Sequence, residues 1–96
     1  MKEIQLYRYD GVHFRSVYAR LEEDQFRIET QDMGPTVEEV WGDDDYEFWT
    51  TVPRKAWGGL VMALVTEFLS GDEHATDRLR DICQKYSVEH QWNKWI

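Results

Sequence analysis

Apolar and polar positions alternate along the first third of the chain, and the alternation breaks at two places that look like chain reversals. Ile4 to Tyr9 and Val12 to Leu21 flank Asp10-Gly11, a dipeptide that tolerates positive φ and predicts a two-residue hairpin turn. In the second run Val17, Ala19 and Leu21 share one face and Ser16, Tyr18 and Arg20 the other. Glu22-Glu23-Asp24 then supplies a polar reversal into a third run, where Phe26, Ile28 and Thr30 alternate with Arg27, Glu29 and Gln31. A period of two with one apolar face is the signature of a half-buried strand. The pattern lapses after Met33-Gly34-Pro35 and returns when Tyr46, Phe48, Thr50 and Val52 alternate with Glu47, Trp49 and Thr51. Connections longer than ~12 residues are uncommon in compact domains and are often functional. Within this one, Thr36-Val37-Glu38-Glu39 has the capping-box spacing, Val37, Val40 and Trp41 follow at i, i+3 and i+4, and Gly42 is a stop. A single helical turn docked by Trp41 is expected there.

From Pro53 the period lengthens to 3.6, and Trp57, Leu60, Val61, Leu64 and Phe68 form one stripe until Ser70-Gly71. Gly58 and Gly59 each weaken a helix interior by ~1 kcal/mol relative to Ala, so close packing against the sheet is expected in compensation. A second helix from Asp72 or His74 carries Ala75, Leu79, Ile82, Cys83 and Tyr86 on its apolar side. The tail, with Trp92, Trp95 and Ile96, is expected to form either a final strand or an aromatic clasp. Strands first and helices after them predict an α+β fold: an antiparallel sheet of four or five strands with two helices packed on one face. At 96 residues the chain is expected to be a single domain spanning 1–96.

Charge changes this picture more than composition does. Hydrophobic residues make up 42% of the chain, which argues against intrinsic disorder despite 31% charged residues. The net charge is −8, and it is concentrated. Residues 31–53 contain no lysine or arginine but hold seven of the 19 acids: Asp32, Glu38, Glu39, Asp43, Asp44, Asp45 and Glu47. The remaining 12 acids are nearly balanced by 11 bases. A nearly neutral body with one anionic segment is a poor match for nucleic acid, whose phosphates are bound by clustered cations. A basic protein partner is the electrostatically easier one. The start of the chain has no apolar leader, no run approaches the ~20 residues that span a bilayer, and Cys83 has no second cysteine to pair with. These features predict no membrane association and a cytoplasmic location.

The remaining candidate chemistry is weak. Asp43-Asp44-Asp45 with Glu47 lacks the spacing of a calcium loop, and three adjacent carboxylates do not readily converge on one ion, so no metal is expected. His13, His74 and His90 are scattered without zinc-ligand spacing. Cys83 lies where an inert core thiol would lie, and no catalytic residue or cofactor is implied. Arg8, Arg15, Arg20 and Arg27 could share a basic face if the strand registers agreed. What distinguishes the acidic segment is the aromatic residues interleaved with it. Glu38, Glu39, Trp41, Asp43, Asp44, Asp45, Glu47 and Trp49 combine attraction with anchors, which is interface material.

Gln31-Asp32-Met33-Gly34-Pro35, Asp45-Tyr46-Glu47-Phe48-Trp49 and Val88-Glu89-His90-Gln91-Trp92-Asn93-Lys94-Trp95 resemble a group of small, uncharacterised acidic bacterial proteins over most of the chain. The resemblance implies no activity. By analogy, some small acidic proteins of this kind neutralise toxins, as immunity proteins do. The leading expectation is a non-enzymatic binding protein or inhibitor that presents segment 36–49 to a basic protein. The alternatives are a small enzyme or ligand-binding domain with a pocket between sheet and helices, and a structural subunit that self-associates through an edge strand or its Trp-rich tail.

Overall fold

Four strands follow one another in chain order and pair with their sequence neighbours: β1 (Lys2–Tyr9), β2 (Phe14–Leu21), β3 (Gln25–Met33) and β4 (Asp45–Pro53). All three pairings are antiparallel. A 3-10 turn, Arg54–Ala56, leads into helix α1 (Trp57–Leu69), and α2 (Ala75–Lys85) completes the regular structure. This computed structural model describes residues 2–34 and 45–95, and the chain divides into two units, Met1–Leu60 and Val61–Ile96. The four-stranded antiparallel sheet with two helices is the expected α+β class. The helical turn expected from Thr36 lies outside the described residues.

The registers give the sheet two chemically distinct faces. Directly paired residues point to the same side of an antiparallel sheet. Ala19 pairs with Ile4 and Ile28, and Val17 with Tyr7 and Thr30, which in turn faces Phe48. These pairs build an apolar face. Tyr18 pairs with Gln5 and Glu29, Arg20 with Glu3 and Arg27, and Ser16 with Arg8 and Gln31, which builds a polar one. A register shift between Gln5 and Tyr7 makes Leu6 the extra residue of a bulge. Without it, strict alternation would put Tyr7 and Tyr9 opposite to Ile4. The bulge returns all three to the apolar face.

The hairpin between β1 and β2 departs from expectation. A tight turn of the primed type needs positive φ at its central residues, yet Gly11 is not among the residues with positive φ. The last pair is Tyr9 with Arg15, and residues 10–13 form an open loop. Two contacts explain it. Asp10 is drawn back onto Arg8 Nε at 2.8 Å, and the Tyr9 ring lies so close to Gly11 that an added Cβ would sit 2.6 Å from it. Beyond Gly11, the Val12 carbonyl lies against Gly34, whose φ of +129° is open only to glycine and whose pro-Cβ position that oxygen would block.

The second reversal is as expected: Glu22 N–H donates to Gln25 O at 2.9 Å, and the Gln25 amide donates to Glu22 at 3.1 Å. At the end of β4, the Trp57 indole N–H donates to Val52 O at 3.1 Å, and Arg54 N–H donates to Asp24 O at 2.8 Å. These bonds fix the exit of the strand.

In the second unit, order is local. Gly71, with φ of +80°, follows α1 at the expected stop. Asp72 accepts the His74 N–H at 2.8 Å and meets Arg78 Nε at 2.6 Å, which organises the entry to α2. The exit of α2 is a Schellman turn: Val88 N–H donates to Cys83 O at 2.8 Å, Ser87 N–H to Gln84 O at 3.4 Å, and Ser87 takes φ of +56°. The tail has no strand through residue 95. Trp92 receives the Arg80 guanidinium 5.0 Å from its ring centroid, but both Trp92 and Trp95 are exposed, so the described tail forms neither the strand nor the clasp expected of it.

The expected core needs correction. Among the described residues, no hydrophobic side chain is buried, and only Ser16 and Thr30 are. Both sit on inner strands with a neighbouring strand on each side. Phe26 and Leu60 are half-buried, whereas Ile28, Leu64 and Phe68 are exposed. A Cβ on Gly58 or Gly59 would meet nothing within 4 Å, so the close packing expected to compensate these glycines is absent. Cys83 is half-buried and not sealed in a core.

Candidate functional site

Of the eight residues expected to bind a partner, Glu38, Glu39, Trp41, Asp43 and Asp44 lie outside the described residues. Asp45 opens β4 opposite Met33, Glu47 stands opposite Gln31, and Trp49 opposite Glu29. Alternation along β4 therefore sends Glu47 and Trp49 to the polar face, as their spacing predicted. There they meet residues from the other three strands.

The polar face is held by cross-strand ion pairs. Arg20 Nη2 lies 2.8 Å from Glu3 and 3.2 Å from Glu29, bridging β1 and β3 through β2. Arg27 Nη2 is 3.1 Å from the same Glu29. The Tyr18 hydroxyl donates to Gln5 at 3.0 Å. The Glu3 carboxylate, and behind it that of Glu29, raises the Arg20 pKa further above its already high ordinary value. Glu29 is thus shared by two guanidinium groups. Glu47, by contrast, makes no ion pair or hydrogen bond with a described residue.

Between these groups lies a shallow depression of about 220 Å³, lined by Ser16, Tyr18, Arg20, Glu29, Glu47 and Trp49 and, at its edges, by Glu3, Gln31 and the strand at Thr30. It belongs wholly to the first unit. The size suits one side chain or a small fragment and falls short of the ~300 Å³ at which drug-sized pockets begin. Trp49 is 55% exposed, and the Arg27 guanidinium lies 5.7 Å from its ring centroid. No protein-family model, curated protein or solved structure matches the chain. The site therefore has to be judged on its own chemistry.

The shared basic face does not form. Arg8, Arg20 and Arg27 lie on the polar side, but register puts Arg15 on the other, where it grips Asp32 with two bonds, the second at 2.6 Å. Arg8 is taken by Asp10, which holds that carboxyl below the usual carboxylate range. Each of these arginines thus has a carboxylate of the first unit as a partner. One acid of the cation-free stretch, Asp32, is neutralised in this way. Among the described residues, no group of three or more His, Cys, Asp or Glu converges as a metal site. Among the described residues, no helix is long and apolar enough to cross a membrane.

Sequence reasoning missed Glu3, Ser16, Arg20 and Glu29 as parts of this site. Their signal was present in the alternation of β2 and β3, but only the registers bring Glu3 and Glu29 to opposite sides of Arg20.

Proposed function

We propose that this chain is a non-enzymatic acidic binding protein that docks a basic protein partner through segment 36–49, as an inhibitor or immunity protein would. The observation that carries the reading is the separation of charge: seven acids and no base over residues 31–53, against near balance elsewhere. The described end of that segment supports it. Glu47 has no cation among the described residues, and beside it on the same face Trp49 is more than half exposed. Desolvated aromatic groups beside charge account for much of the energy of many interfaces. The same charge distribution opposes nucleic acid as the partner, and a cytoplasmic site of action fits the lone cysteine.

The test is affinity capture from the native cell with the natural chain and with the triple variant Asp43→Asn, Asp44→Asn, Asp45→Asn as baits, compared at low and high salt. The expected result is a basic protein that the natural chain retains at low salt, loses at high salt and that the variant retains poorly. Equal retention of the same protein by both baits would overturn the reading.

A further inference from the structure

The geometry points to a receptor for a single guanidinium group on the polar face of the sheet, built by Glu47 and Trp49 and supplied by an arginine side chain of the docking partner. This inference rests on the proposed docking function and names the chemistry by which the partner is gripped.

Four observations carry it. First, the depression holds about 220 Å³, the scale of one long side chain and not of a peptide or a dinucleotide. Second, its charges are unequally satisfied. Arg20 and Arg27 are committed to Glu3 and Glu29, at 2.8 to 3.2 Å, and Glu47 is the acid left over. Among the described acids that line the depression, Glu47 is the one without a cation partner. An incoming anion would have to compete with the carboxylates of Glu3 and Glu29 already paired with Arg20 and Arg27. An incoming cation finds its counter-charge ready.

Third, Trp49 stands two residues from Glu47 on the same face, about 7 Å along the strand. A planar cation can therefore lie against the indole while its N–H groups reach the carboxylate. Fourth, the ring already accepts such a group, because the Arg27 guanidinium sits 5.7 Å from its centroid. Guanidinium suits this pairing better than ammonium, since it stacks on an aromatic face and presents a flat fork of donors to a carboxylate.

The experiment is an NMR titration of the 15N-labelled full chain with N-acetyl-arginine amide, with the neutral isostere N-acetyl-citrulline amide as control. The expected result is a saturable shift of the Trp49 indole N–H and of the Glu47 and Gln31 backbone amides by the arginine probe and not by citrulline. Glu47→Gln and Trp49→Ala should each weaken the probe about fivefold. The amide spectrum of each variant reports its own fold, and Trp49→Phe, which keeps a ring, should restore most of the loss. Absence of shifts at tens of millimolar probe, or equal shifts with citrulline, would overturn the receptor. Its failure is separable from failure of the docking function. If the titration fails while the triple Asp→Asn variant still loses its partner, the receptor falls and docking stands. If the titration succeeds while that variant keeps its partner, docking through the acidic segment falls and the receptor stands.

Discussion

In the unit of residues 1–60, ion pairs of Arg15 and Arg20 join residues far apart along the chain; in the unit of residues 61–96, the hydrogen bonds among the described residues join neighbours within a turn or two. Arg15 meets Asp32, and Arg20 meets Glu3, each across 17 residues of sequence. In the second unit the Thr66 hydroxyl donates to Met62 O at 2.8 Å, Arg78 meets Asp72, and Val88 N–H closes on Cys83 O. Register couples changes made at distant positions of the sheet. Local bonds in the helical unit leave changes nearly independent of one another. A site assembled from four strands, such as the depression around Glu47 and Trp49, belongs naturally in the first unit.

The comparison can be broken most sharply at Gly34. It combines a φ reserved for glycine with a blocked pro-Cβ position against Val12, so Gly34→Ala should destabilise the sheet by roughly 3 kcal/mol. Because Met33, its neighbour, pairs with Phe14, the damage should spread along the β2–β3 ladder. Chemical denaturation should record the loss, and hydrogen exchange should show faster opening across β2 and β3. A loss under about 1 kcal/mol would mean that the loop and the strand end are not coupled as described.

The reverse sign is expected in α1. Gly58 and Gly59 face open space, so the double replacement by Ala should stabilise the protein by about 1 to 2 kcal/mol. Destabilisation instead would reveal a close approach at these positions. Ser87 holds φ of +56° at the end of α2, where glycine has no steric penalty, and Ser87→Gly should add about 1 kcal/mol. The smallest effect concerns Asp72. Arg78, and then the His74 N–H, hold its carboxyl below the usual carboxylate range. The stabilisation is therefore complete at neutral pH and is lost as acidification protonates the folded carboxyl. Helical chemical shifts at the start of α2 should decline through that acid range, and Asp72→Asn should remove the decline.

The same contrast explains what could be read from the residues. Alternation from Phe26 to Gln31 and from Tyr46 to Val52 identified β3, β4 and the sides of Glu47 and Trp49, because a period of two needs no knowledge of the partner strand. The Leu6 bulge was not legible, since its only sign is where β2 pairs with Gln5 and Tyr7. Asp10-Gly11 misled because Arg8 and the Tyr9 ring compete for the loop, and propensity alone is blind to both. Arg20 as the link between Glu3 and Glu29 required two registers at once. The stripe of Leu64 and Phe68 located α1 correctly but overstated burial, because periodicity reports which face is apolar and not what covers it.

The proposed function turns on whether the anionic segment steers a basic partner onto this protein. The most direct measurement is the association rate of the captured partner as a function of salt, for the natural chain and for the triple Asp43, Asp44 and Asp45→Asn variant. Steering predicts a fast rate that falls steeply with ionic strength in the natural chain, and a slower, flatter dependence in the variant. Identical rates at every salt concentration would contradict it.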